Sequence, residues 1–191
     1  MVHAEDEELA AELAAERHRL THRPPDDEGI PAFAYLEVRP GVAVGDYARH
    51  LRSVLDPTLA IAATADFDAA ELPTGDIPDW FARVSGQPSQ ETAEFAAAGR
   101  ASYADHPGTD GPWELRDWLS RFEPEYGMRG WAWWDLTAPA PDRLRIWVDC
   151  GTEPWFAHLD LLWLAYTAGA VSVAPPEVVE SDIWAAEPPV G

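Results

Sequence analysis

Two aromatic-rich runs in the second half of the chain narrow the folds open to it. Gly130 to Leu136 and Arg143 to Asp149 consist largely of tryptophan and aliphatic residues, and the Pro-containing stretch Thr137 to Asp142 joins them. Runs of this kind bounded by turn formers predict strands. So short a join suits an antiparallel hairpin, because a parallel crossover needs about a dozen residues or more. Alternation then puts Leu144, Ile146 and Val148 on one face of the second strand, with Arg143, Arg145, Trp147 and Asp149 on the other. In the first strand Trp131 and Trp133 oppose Ala132, Trp134 and Leu136. Aromatics thus fall on both faces, and Trp131, Trp133, Arg145 and Trp147 become candidates for a ligand groove that stacks a sugar ring or a partner side chain. Burial in the core is the competing fate of the same residues.

Helical signals surround the hairpin. Glu5 to about Leu20 reads as a helix with acids at its start and Arg17, His18 and Arg19 at its end, complementing the macrodipole. Asp46 is a candidate cap for a helix carrying Tyr47, Leu51, Val54 and Leu55 on one face, ended by Asp56-Pro57. Leu59 to Ala65 reads as a short buried strand, and Ala32 to Val38, which alternates loosely, as another strand. Further helices are expected from Pro78 to Val84, from Gln90 to Tyr103, and from Pro112 through the stripe Leu115, Trp118, Leu119 and Phe122. Pro154 to about Ala168 is apolar on nearly every side and predicts an interior helix, with Gly169 as its left-handed terminator. Val171 to Val173 closes the series as a short strand. The expected architecture is α+β: a small antiparallel sheet with helices packed on it around a single Trp-rich core. Residues 1–31 form a helical arm and linker in this reading, 32–174 the globular domain, and 175–191 a Pro- and acid-rich tail.

Composition bounds the function. The chain has 191 residues, ten of them Trp, with 34 Asp+Glu against 13 Lys+Arg and a formal net charge of -21. The tryptophans argue for a packed core and against disorder. The charge disfavours nucleic acid and anionic membrane surfaces and favours a basic protein partner. Every basic residue apart from histidine is Arg, which excludes Schiff-base, pyridoxal and phosphate-loop lysine chemistry. The absence of Lys and Asn, with abundant Ala, Arg, Pro and Asp, matches a GC-rich bacterial genome. Cys150 is the only cysteine, so neither an intrachain disulfide nor a multi-cysteine zinc site is available. No signal sequence or span long enough for a bilayer is read, and a cytoplasmic location is expected.

Four groups of residues could carry chemistry. His18 and His22, four apart, could share a metal, but the neighbouring position holds Arg19 where a zinc protease needs Glu, so no metal is expected. Asp149, Cys150 and His158 are the only set resembling nucleophilic catalysis, against which Cys150 reads as a small buried hydrophobe. Asp66, Phe67, Asp68, Glu71, Asp76, Asp79 and Trp80 place carboxylates around apolar anchors, an arrangement suited to a basic protein partner. Calcium fits that loop less well, as the ordered ligand pattern is absent. The hairpin aromatics are the fourth group. Cofactor motifs are missing, and no cofactor is expected.

These features favour an acidic, non-enzymatic protein that binds or neutralises a basic protein. In general character, though in no motif, the chain is similar to bacterial immunity proteins. Two alternatives stand beside this: a small-molecule binder or hydrolase-type enzyme using the hairpin region with Asp135, Asp149 and His158, and a structural or assembly component docking through its terminal segments.

Overall fold

The computed structural model describes residues 2–25, 30, 32–86, 91–126, 128–151 and 155–191. Among the described residues, seven α-helices and five strands form an α+β fold. The predicted hairpin is present as β2 (Ala132–Ala140) and β3 (Arg143–Asp149), paired antiparallel. β1 (Ala32–Pro40) pairs antiparallel with β3 on one side. Its other side is shared by β4 (Ala170–Val173) at one end and β5 (Glu177–Glu180) at the other. The sheet order is β2-β3-β1-β4, every pairing antiparallel.

A bulge alters the face assignment expected for the first hairpin strand. Trp133 pairs with Val148 and Asp135 with Trp147, so Trp134 and Asp135 together oppose one residue. An inserted residue resets alternation downstream. Leu136 consequently opposes Ile146 and joins Trp131 and Trp133 in the main core, instead of sharing a face with Trp134. The opposite face carries Phe33, Tyr35, Trp134 and Trp147.

Helices cover the first face. α1 (Val2–Arg19) packs on α2 (Val44–Thr64) and on β2. Strict periodicity explains α2: Leu51, Val54, Leu55, Thr58, Leu59, Ile61 and Ala62 are all buried at three- to four-residue spacing. The helix therefore continues through Pro57, and the stretch Leu59 to Ala65, expected as a strand, is its last turns. Proline at an interior position costs about 3 kcal/mol, which burial of this stripe outweighs. Nor does Asp46 cap the helix. Ala43 holds that position, and Asp46 lies in the first turn, paired with Arg49.

α3 (Asp79–Val84), α4 (Glu94–Ala104) and α5 (Leu115–Ser120) follow. The Gln90 start expected for α4 lies outside the described residues. α5 begins three residues after Pro112, where the Leu115 backbone N–H donates to the Ser85 carbonyl at 2.8 Å. α6 (Leu159–Thr167) is the interior helix, with every residue from Asp160 to Thr167 buried. It is shorter than expected. Residues 155–158 are not helical, His158 sits at the N-cap, and the expected first residue, Pro154, lies outside the described residues. The Phe156–Ala157 backbone instead lies against Gly130, whose missing Cβ would stand 2.9 Å from the Ala157 nitrogen. Gly169 ends the helix with φ of 116°, a conformation that glycine adopts without strain. α4 crosses α6 at Gly99, where a Cβ would fall 1.9 Å from the Tyr166 carbonyl oxygen.

The second sheet face is closed by the 175–191 segment. α7 (Ser181–Ala185) lays Trp184 on Phe33 and Trp134, and Trp184 is fully buried. Residues 187–190 then reach the outer edge of β2: the Ala138 N–H donates to the Pro188 carbonyl, and the Val190 N–H to the Leu136 carbonyl. No helix among the described residues is long and apolar enough to cross a membrane.

Candidate functional site

The acidic loop after α2 is exposed in its carboxylates and anchored in its aromatics. Asp66, Asp68, Glu71, Asp76 and Asp79 are all exposed, while Phe67 and Trp80 are half-buried against the core. Asp66 Oδ1 accepts the Asp68 backbone N–H at 3.0 Å, forming a tight local turn. Arg116 holds the loop by donating to the Phe67 and Ala69 carbonyls. Trp80 makes ring contacts with His50, Phe81 and Phe95.

Asp66, Phe67 and Asp68 instead face a depression of about 380 Å³ between α1, the end of α2 and the 123–126 turn. Leu9 and Leu13 of α1 contribute apolar surface, Glu123 and Glu125 stand on the far rim, and Tyr126 projects beside them at 76% exposure. α2 ends here with no basic residue in its last turn. The last carbonyls of a helix carry the negative end of its macrodipole. Carboxylates, the negative end of α2 and an exposed phenol ring therefore converge on a partly apolar hollow. Such a hollow suits a guanidinium or ammonium group on an apolar stem, held by charge and by the Tyr126 ring face.

The arginines do little to offset this field, because many are committed within the molecule. Arg129 forms a bidentate pair with Glu16 at 2.7 Å to each oxygen. Arg23 donates to the Trp184, Ala185 and Glu187 carbonyls, and Arg100 to those of Val84 and Gly86. Arg145 bridges Glu37 and Glu187 while lying over Tyr35.

The hairpin aromatics are not gathered. Trp131 and Trp133 belong to the helix-covered face, and Arg145 and Trp147 to the other. All three indoles are buried, at 3%, 1% and 0% exposure. Trp131 Nε1 donates to Asp160 Oδ1 at 3.0 Å and Trp147 Nε1 to Thr137 Oγ1 at 2.7 Å. Asp135 is likewise internal. Its carboxylate accepts Trp184 Nε1 and the Leu136 N–H, with Arg23 at 3.7 Å, and burial raises its pKa despite those partners.

Asp149 and His158, expected to act together with Cys150, border different clefts. Asp149 accepts the Gly151 N–H and borders a depression with Glu16 and Arg19. Cys150 packs against the core, and burial followed by the Asp149 charge raises its thiol pKa, the opposite of activation. His158 borders a different cleft, beside Trp155. His18 and His22 stack face to face at 4.1 Å on the exposed end of α1, and no group of three or more metal-ligating side chains occurs among the described residues.

Two features passed over in the sequence were open to recognition there. Glu16 falls on the same α1 stripe as Leu9, Leu13 and Leu20, a periodicity that marks it as inward-facing. Glu123 to Tyr126 repeats the acid-plus-aromatic composition of the 66–68 loop. No protein-family model, curated protein or solved structure matches the chain.

Proposed function

We propose that the protein binds a basic protein partner through the Asp66–Asp68/Glu123–Tyr126 depression, admitting an Arg or Lys side chain of that partner. The convergence of four carboxylates, the α2 C-terminus and Tyr126 on one partly apolar hollow carries the reading. The net charge of -21 adds long-range steering that salt weakens. Masking a cationic active-site cleft in this way is how an immunity protein silences a toxin, and this is the concrete form of the proposal. No catalytic step is invoked.

A fluorescent oligo-arginine peptide provides the test, with association rates measured by stopped flow. Between about 20 mM and about 300 mM salt the rate is expected to fall by at least about tenfold. Asp66→Asn, Asp68→Asn and Glu125→Gln combined should slow association at low salt by about tenfold. A matched triple at the exposed Asp105, Asp110 and Asp142 should change it less than about twofold. Equal slowing by the two triples would show that net charge acts without a site, and the proposal would fall.

A further inference from the structure

We propose that the cleft between His106, Trp155 and His158 binds a small uncharged aromatic amide or lactam: a planar ring bearing an N–H donor beside a carbonyl acceptor. The cleft encloses about 660 Å³ and is bordered by His106, Pro107, Trp155, Phe156, His158, Pro175, Pro176 and Val178. That volume lies within the range of small-molecule sites. Its walls are rings and rigid apolar groups. The Trp155 indole is 82% exposed and Val178 45%, whereas most of the other indoles of the protein are buried. A flat ring laid on Trp155 and the prolines would recover this apolar surface.

The polar groups of the cleft form a complementary pair. His158 Nδ1 lies 3.1 Å from the Phe156 carbonyl oxygen, which only accepts, so in the neutral ring Nδ1 carries the proton and Nε2 is an acceptor. His106 Nδ1 lies 2.8 Å from the Tyr166 hydroxyl. Tyr166 is 4% exposed, and its hydroxyl has that imidazole nitrogen within hydrogen-bond distance as an acceptor. A phenol proton donated to His106 Nδ1 makes His106 Nε2–H a donor. With both Nδ1 atoms engaged by the protein, a donor and an acceptor edge remain for a guest. A primary amide or a lactam offers the matching acceptor and donor. Burial, followed by the neighbouring His158, lowers the His106 pKa and supports its neutral form. Among the described residues no Arg, Asp or Glu borders the cleft. Against a net charge of -21 an anionic guest is disfavoured, which selects an amide over a carboxylate.

The test uses the full chain and three probes of one shape: benzamide, benzoate and acetophenone. Binding is read from calorimetry and from the Trp155 indole resonance. Benzamide should perturb Trp155 and bind about tenfold tighter than acetophenone, which lacks the N–H, and tighter still than benzoate. His158→Phe should weaken benzamide by about tenfold while leaving acetophenone within about twofold. Trp155→Ala, at a position 82% exposed, should weaken all three. Equal binding of the three probes, binding of none, or benzamide affinity unchanged by both variants would overturn the assignment. Should His158→Phe fail to fold, the probe ranking and Trp155→Ala decide the matter alone. None of these readings depends on the oligo-arginine experiment.

Discussion

Glu16 shows how one polar residue can organise a core. It is 2% exposed, accepts both outer nitrogens of Arg129, and also takes the Trp133 backbone N–H at 2.7 Å. α1 is thereby tied to the start of the hairpin through one carboxylate. A buried ion pair is a poor source of net stability, but removing one partner strands the other. Arg129→Leu is expected to destabilise the protein by about 3–5 kcal/mol, measured by urea unfolding. The double change Glu16→Leu/Arg129→Leu should cost less than the single one. A single variant with wild-type stability would contradict this account. Sequence periodicity placed Glu16 on an inward stripe, but only the fold supplied Arg129 from 113 residues away.

Among the elements, α2 is the one in which local rules and tertiary burial disagree most. Asp56-Pro57 is a reasonable stop signal, and the chain overrides it because Thr58, Leu59, Ile61 and Ala62 continue the buried face. The helix then carries a defect without an evident function, for Pro57 lies at the half-buried margin. Pro57→Ala restores a missing backbone donor, at the expense of a less restricted unfolded chain. A net gain of about 1–2 kcal/mol is expected, seen as a raised melting temperature. Loss of stability would mean that the proline ring itself packs against the core. The hairpin is the opposite case. Its strands, its antiparallel sense and one face of β3 were readable from composition and alternation, while the β2 bulge was not. A bulge leaves the residue types unchanged and alters only their count against the partner strand.

At the scale of the whole molecule, the 187–190 segment covers the outer sheet edge and adds Val190 to the main core. Glu187 receives Thr137 Oγ1 and pairs with Arg145, Val190 is buried, and Arg52 donates to the Val190 carbonyl at 2.7 Å. An uncovered strand edge invites pairing with another chain. Deleting residues 187–191 should therefore lower stability and produce concentration-dependent association, detectable by light scattering and sedimentation. A truncated protein that remains monomeric with an unchanged melting temperature would show that the edge needs no cover. The wider charge pattern also belongs to this scale. Arginines turned onto carbonyls and buried carboxylates secure the loops, and exposed acids are left to shape the surface around Tyr126.

The amino-acid order alone determined the α+β class, the antiparallel hairpin, the interior position of α6 and the excess of negative charge. Each follows from properties of neighbouring residues: side-chain periodicity, turn chemistry, hydrophobicity and ionisation. Tertiary structure alone decided which acids share a hollow, which indoles remain in solvent, and which histidines meet at a cleft. Those outcomes depend on distances between segments far apart in the chain, and these are set by how the helices and the 175–191 segment pack on the two faces of the sheet.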